Sequence, residues 1–222
     1  MTRGHRLDPR VAVAATVGVL AVYQQARRHL IPDELHDLTN TSMIGVMAAV
    51  ATATGLSARE MGLTRDRLLA GLRLGGVVAG AVGTVVGAAG LFGFDPLGLI
   101  GDRAEASLPE MLVDVLVRIP IATVVFEELA FRGVLTPLLE RATTPARAMA
   151  WSAALFGAWH VGAPASASAA DLATQVGTFA ATAAAGAGFV YLRRRSGSLA
   201  APMVAHWSTN GLAYAVAWLV GR

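Results

Sequence analysis

Three clusters, Glu127-Glu128-x-x-x-Arg132, Phe156-x-x-x-His160 and His206-x-x-x-Asn210, place ionisable or amide side chains inside stretches otherwise apolar enough to span a bilayer. A charged residue at the bilayer centre costs roughly 2.5 to 3.5 kcal/mol on insertion scales, so such side chains gather in a protein interior, usually for function. Positions four apart share a helix face, whereas adjacent positions diverge by about 100°. Glu128 is therefore placed to pair with Arg132, while Glu127 points elsewhere. An arginine-paired carboxylate is held ionised and shuttles protons poorly; an unpaired buried one can serve as a general base. His206 and Asn210 present two polar groups to one spot, as oxyanion stabilisers must, or else form a hydrogen-bonded contact between helices.

Other hydrolytic signatures are missing. The chain has no H-E-x-x-H, no G-x-S-x-G and no intramembrane aspartate pair, and the absence of cysteine removes thiolate nucleophiles and cysteine-based zinc sites. All 18 basic residues are arginine, and the formal charge of +3 is too small and dispersed to argue for nucleic-acid binding. The lack of lysine and the abundance of alanine and glycine suggest a GC-rich bacterial genome.

The elements that must position these residues read as membrane helices. Hydrophobic residues make up 55% of the chain and charged residues 15%, and the mean hydropathy is +0.55, more apolar than an ordinary soluble domain. Apolar runs near 11–26, 41–56, 74–94, 111–132, 148–163, 173–192 and 199–220 give about seven spans, within a range of six to eight. The expected fold is thus an all-α, polytopic transmembrane helical bundle. The first run follows Arg3, Arg6 and Arg10 but offers no small-residue cleavage site, so an uncleaved first helix is expected. Gly76, Gly80, Gly83, Gly87 and Gly90 are expected to form a close-packing face on the third span.

With seven spans and a cytoplasmic N-terminus, Arg3, Arg6, Arg10, Arg59, Arg65, Arg67, Arg73, Arg141, Arg147 and Arg193 to Arg195 fall inside. Arg27, Arg28, Arg103 and Arg222 fall outside. The positive-inside rule selects this multi-pass orientation in the cell membrane. Asp114 and Arg118 are expected to form a structural pair, and His5, His29 and His36 lie near membrane edges. Trp151, Trp159, Trp207 and Trp218 either anchor the interface or line the cavity. If spans begin at their arginines, His160 lies about 20 Å beyond Arg147 and His206 about 17 Å beyond Arg195. Glu127 reaches that level when its helix continues past Arg132 toward Pro137.

The sequences Glu127-Glu128-Leu129-Ala130-Phe131-Arg132, Phe156-Gly157-Ala158-Trp159-His160 and His206-Trp207-Ser208-Thr209-Asn210, in this order, resemble the CPBP intramembrane proteases. That family includes type II CAAX prenyl endopeptidases and bacterial proteins linked to bacteriocin processing or self-immunity. The resemblance covers roughly 108 to 219; Arg59-Glu60-Met61-Gly62-Leu63 is similar to a short element often found before the family's core. It implies an intramembrane endopeptidase in which Glu127 and His160 activate water and His206 and Asn210 stabilise the oxyanion. Glu128 and Arg132 support the site, and Phe156 packs around it.

These readings divide the chain into N-terminal membrane helices, 1–107, and a helical catalytic core, 108–222, within one membrane domain. The expected partners are a membrane-associated peptide or protein and the lipid bilayer. Glu127, His160 and His206 could also supply a His₂Glu zinc set. That arrangement consumes Glu127 as a ligand and leaves proton transfer to the arginine-paired Glu128, so no cofactor is the favoured reading, with zinc the alternative. The rival functions are a membrane immunity or peptide-binding protein of the same fold and a small proton-coupled transporter.

Overall fold

The computed structural model describes residues 7–92, 106–162 and 169–222, and the chain is all-helical there. The first helix, α1 (Pro9–His29), starts on Asp8, whose carboxylate accepts from Arg10 N at 2.7 Å, with Pro9 supplying a preset φ. Only a narrow stripe of α1, Ala12, Thr16, Leu20, Tyr23 and Gln24, is buried against the rest. A short 3₁₀ turn leads into α2 (His36–Ala53). The third element, α3 (Ala58–Met61), is one turn held by a reciprocal capping box between Ser57 and Glu60. It is followed by α4 (Arg65–Leu91). Together, the 34 residues Ala58–Leu91 are long and apolar enough to cross a membrane.

Helix α5 runs without a break over 108–142, past Arg132 and Pro137, so Glu127 sits near its middle. It opens on a Ser107/Glu110 capping box and contains two π-helical stretches, Asp114–Val125 and Leu129–Leu135. Pro120 lies in the first; lacking an N–H, it cannot make the usual ladder bond, and a π-stretch is one way a helix absorbs that loss. Thr144 caps the start of α6 (Pro145–His160), which ends at His160 because Val161 turns to extended geometry. Helix α7 (Ala169–Ser196) returns antiparallel against α6, and α8 completes the fold over 200–220, with a π-turn at Ser208–Leu212.

The connection between α7 and α8 departs from the spacing expected from sequence. A turn at residues 196–199, with Gly197 at φ +70°, intervenes, so α8 starts at Ala200 and His206 lies only about 9 Å along it. This turn is buried beneath the α3 element, where Leu199 N donates to Gly62 O at 2.8 Å. Gly62 ends α3 at φ +74°, and a side chain there would also collide with the Arg193 guanidinium. That guanidinium donates to the carbonyls of Arg59, Glu60 and Met61. Arg141 bonds Glu60 and the carbonyls of Thr54 and Gly55. Glu60 also accepts from the Ser57 hydroxyl at 2.7 Å.

The close-packing face of α4 keeps Gly83 and Gly90 of the expected set but not Gly76, Gly80 or Gly87. A Cβ on Gly76, Gly80 or Gly87 would meet nothing within 4 Å among the described residues, whereas Gly71, Gly75, Gly83 and Gly90 approach the 198–220 region. Neighbouring residues diverge by about 100°, so a face through Gly75 turns Gly76 away. At Gly75 a Cβ would lie 2.8 Å from both Ala201 O and Val204 Cβ. Gly75→Ala is expected to cost about 1 to 3 kcal/mol by overpacking, while Gly76→Ala leaves stability unchanged or slightly raised. Thermal unfolding in detergent checks the contrast; equal effects would show that α4 does not rest on α8 through Gly75.

Candidate active site

The site forms where α5, α6 and α8 converge, with α7 behind them. Glu127 and Glu128 lie in the short α-turn between the two π-stretches of α5, and both are buried. As their spacing requires, they face different neighbours. Glu128 Oε1 accepts from Arg132 Nη1 at 2.9 Å and lies 2.9 Å from His206 Nδ1. Arg132 is fully buried, with its guanidinium carbon 4.0 Å from the Phe156 ring centroid and 4.9 Å from that of Phe189. Cation–π attraction thus covers the part of its charge that Glu128 does not meet. Phe156 also sits edge-on to His160, and Phe189 stacks on His206.

Glu127 has no arginine. Its Oε1 accepts from Trp159 Nε1 at 3.1 Å. Its Oε2 faces His160 Nε2 at 3.8 Å and His206 Nε2 at 3.9 Å, and makes no protein hydrogen bond. The tautomers of both rings follow from their other nitrogens. His160 Nδ1 is 2.8 Å from the carbonyl of Phe156, an acceptor only, so Nδ1 carries the hydrogen, and in the neutral ring Nε2 turns a lone pair toward Glu127. His206 Nδ1 likewise donates to Glu128, leaving its Nε2 to face Asn210 Nδ2 at 3.3 Å. Glu127 Oε2 and the Nε2 atoms of His160 and His206, from three helices, therefore converge on one point.

Every residue singled out by the sequence motifs is in this cluster: Glu127, His160, His206 and Asn210 around the convergence, and Glu128, Arg132 and Phe156 beside it. Asp114 lies apart, 3.2 Å from Arg118, and also accepts from Tyr214 at 2.9 Å. Sequence reading missed the part played by Trp159, although it lies inside the second motif. It also missed Gln24 and Arg28 of α1, which donate to the Trp159 carbonyl at 2.7 and 3.1 Å, with Arg28 reaching the Val161 carbonyl at 2.5 Å. These contacts cap the end of α6 that carries His160. No local spacing signals a bond across more than 130 residues. Tyr23 supports the same corner, stacking on Trp159 and bonding Asn40.

The donor types of Glu127, His160 and His206 suit zinc. Bonds of roughly 2.0 to 2.1 Å in tetrahedral geometry place ligand atoms about 3.4 Å apart. Glu127 Oε2 is 3.8 and 3.9 Å from the two imidazole nitrogens, and His206 Nε2 is already engaged with Asn210. Among the described residues, no group of three metal-ligating side chains is close enough to hold an ion.

Residues 109–212 match the family model described as Rce1-like, type II CAAX prenyl endopeptidase. The match spans a little under half of the chain and contains all three motifs. No curated protein and no solved structure matches the chain. Through this segment the chain is similar to the Rce1-like type II CAAX prenyl endopeptidases, a likeness that supports a CPBP-type intramembrane protease.

Proposed function

We propose that the chain hydrolyses peptide bonds of membrane-associated peptides or proteins, with Glu127 and His160 activating water without a metal. The observation that carries this reading is the convergence of Glu127 Oε2 and His160 Nε2 on one point, where the carboxylate and a neutral imidazole both accept hydrogen bonds. A water there donates its two hydrogens to them and keeps its oxygen lone pairs free for attack. The water oxygen bonds to the scissile carbonyl carbon as one proton passes to Glu127. Collapse of the tetrahedral intermediate then breaks the C–N bond, and that proton goes to the departing amine.

Asn210 offers a second amide hydrogen to the developing oxyanion. His206, with its hydrogen on Nδ1, contributes directly only when its ring also carries one on Nε2; otherwise it holds Asn210 in place. Glu128 fixes the His206 ring, and Arg132 balances Glu128. In this scheme Glu128 positions and Glu127 reacts.

The decisive experiment compares peptide termini in membranes of cells carrying the wild type and Glu127→Ala. New termini that need Glu127, and that persist when the purified enzyme is treated with a chelator, are expected. Identical termini in both would leave a peptide-binding protein. Loss on chelation with recovery on adding zinc would assign Glu127, His160 and His206 to a metal.

We further propose a seven-span arrangement with a cytoplasmic N-terminus and an extracytoplasmic C-terminus. It is supported by the arginine count and by the gathering of Arg59, Arg67, Arg141 and Arg193 to Arg195 at one end of the bundle. Reporter fusions at the two termini are expected to give opposite signals; matching signals would require an even number of spans.

A further inference from the structure

At the end of the bundle where α3, α4 and the α7–α8 turn meet, Arg59, Arg67, Arg193, Arg194 and Arg195 line a cavity of about 280 Å³ whose wall includes Gly197. We infer that this cavity binds a phosphate group, carried by an anionic phospholipid headgroup or by free phosphate.

Charge balance is the first argument. Asp66 serves both Arg59, at 4.0 Å, and Arg67, at 3.6 Å. Glu140 serves Arg194 at 2.7 Å. Arg193 donates to the carbonyls at the end of α3, and neither it nor Arg195 has an acidic side chain within ion-pair distance among the described residues. Glu60, the remaining nearby acid, is taken by Arg141. Five guanidinium groups thus face two carboxylates, an excess of three positive charges around one concavity. Such crowding repels itself unless an anion enters.

Chemistry and position name the anion. Guanidinium forks match phosphate oxygens in pairs, and basic pockets between membrane helices take anionic headgroups. The arginines come from separate elements: Arg59 from α3, Arg67 from α4, and Arg195 from the end of α7. One bound phosphate therefore bridges three segments whose arginines repel one another. It also braces the turn at Gly197, where a Cβ would lie 3.5 Å from the Arg67 side chain, and from which α8 runs to His206. The expected result of binding is a firmer start to α8, with no contact to the reacting atoms.

The full-length protein, reconstituted in vesicles of phosphatidylcholine alone or mixed with phosphatidylglycerol and then released, tests this by native mass spectrometry of retained lipid. Wild type is expected to prefer phosphatidylglycerol, and the Arg67→Gln/Arg195→Gln variant to lose about fivefold of that preference per arginine. Arg73→Gln, on α4 but outside the cavity, is expected to keep it. A parallel arm follows thermal unfolding in inorganic phosphate against chloride at equal ionic strength. A response to phosphate that the double variant lacks assigns the site to free phosphate, and a response to the lipid alone assigns it to a headgroup; either upholds the inference. Equal retention of both lipids together with no phosphate response would overturn it, as would responses that survive in Arg67→Gln/Arg195→Gln. Peptidase activity enters neither readout.

Discussion

Glu127→Gln is expected to lower cleavage by about two to four orders of magnitude, the usual worth of a general base, while the protein keeps its wild-type unfolding temperature in detergent. The reason is atomic. A glutamine retains an Oε1 that can accept from Trp159 Nε1, so the wall of the site survives. Its amide nitrogen replaces Oε2, which turns the one free acceptor into a donor aimed at the lone pairs of His160 and His206. The substituted side chain can neither take a proton from water nor leave His160 free to do so. The loss should therefore fall on kcat rather than KM. Activity per folded molecule is the measurement, and an active Glu127→Gln enzyme would remove this residue from the chemistry.

The neighbouring substitution should fail in a different way. Glu128→Gln removes the carboxylate that meets both Arg132 and His206, leaving a fully buried guanidinium with cation–π contacts but no counter-charge. Breaking a buried pair from one side typically costs about 3 to 5 kcal/mol, mostly through the charge left behind. A marked drop in unfolding temperature is expected. Removing the charge as well, in Glu128→Gln/Arg132→Gln, should restore part of it, because the two losses are not additive. Should the double variant be as unstable as the two single losses combined, the coupling of Arg132 to Glu128 would not be what holds this corner.

The different partners of these adjacent glutamates were legible in part, because an interval of four is a local property of a helix. The same is true of His206 with Asn210, and of the need for α5 to pass beyond Arg132. What was not legible depended on the meeting of distant segments. The interval from Arg195 to His206 read as one helix because nothing in it announces that Gly197 turns the chain beneath α3. The glycines of α4 offered two possible faces, and only the position of α8 chose between them. The π-stretches flanking the glutamates had a single local hint in Pro120. The contributions of Gln24 and Arg28 had none, since both act through the backbone of α6 rather than through a motif.

Those last contacts bear on what may be cut from the chain. Arg141 and Arg193 together hold five carbonyls contributed by residues 54–61, and the Trp159 carbonyl takes both of its donors from α1. A fragment confined to 109–212 would keep every reacting group yet abandon these partners and uncover the α7–α8 turn. Residue 109 marks where the family match begins; the packing that supports the site reaches back through α3 to α1.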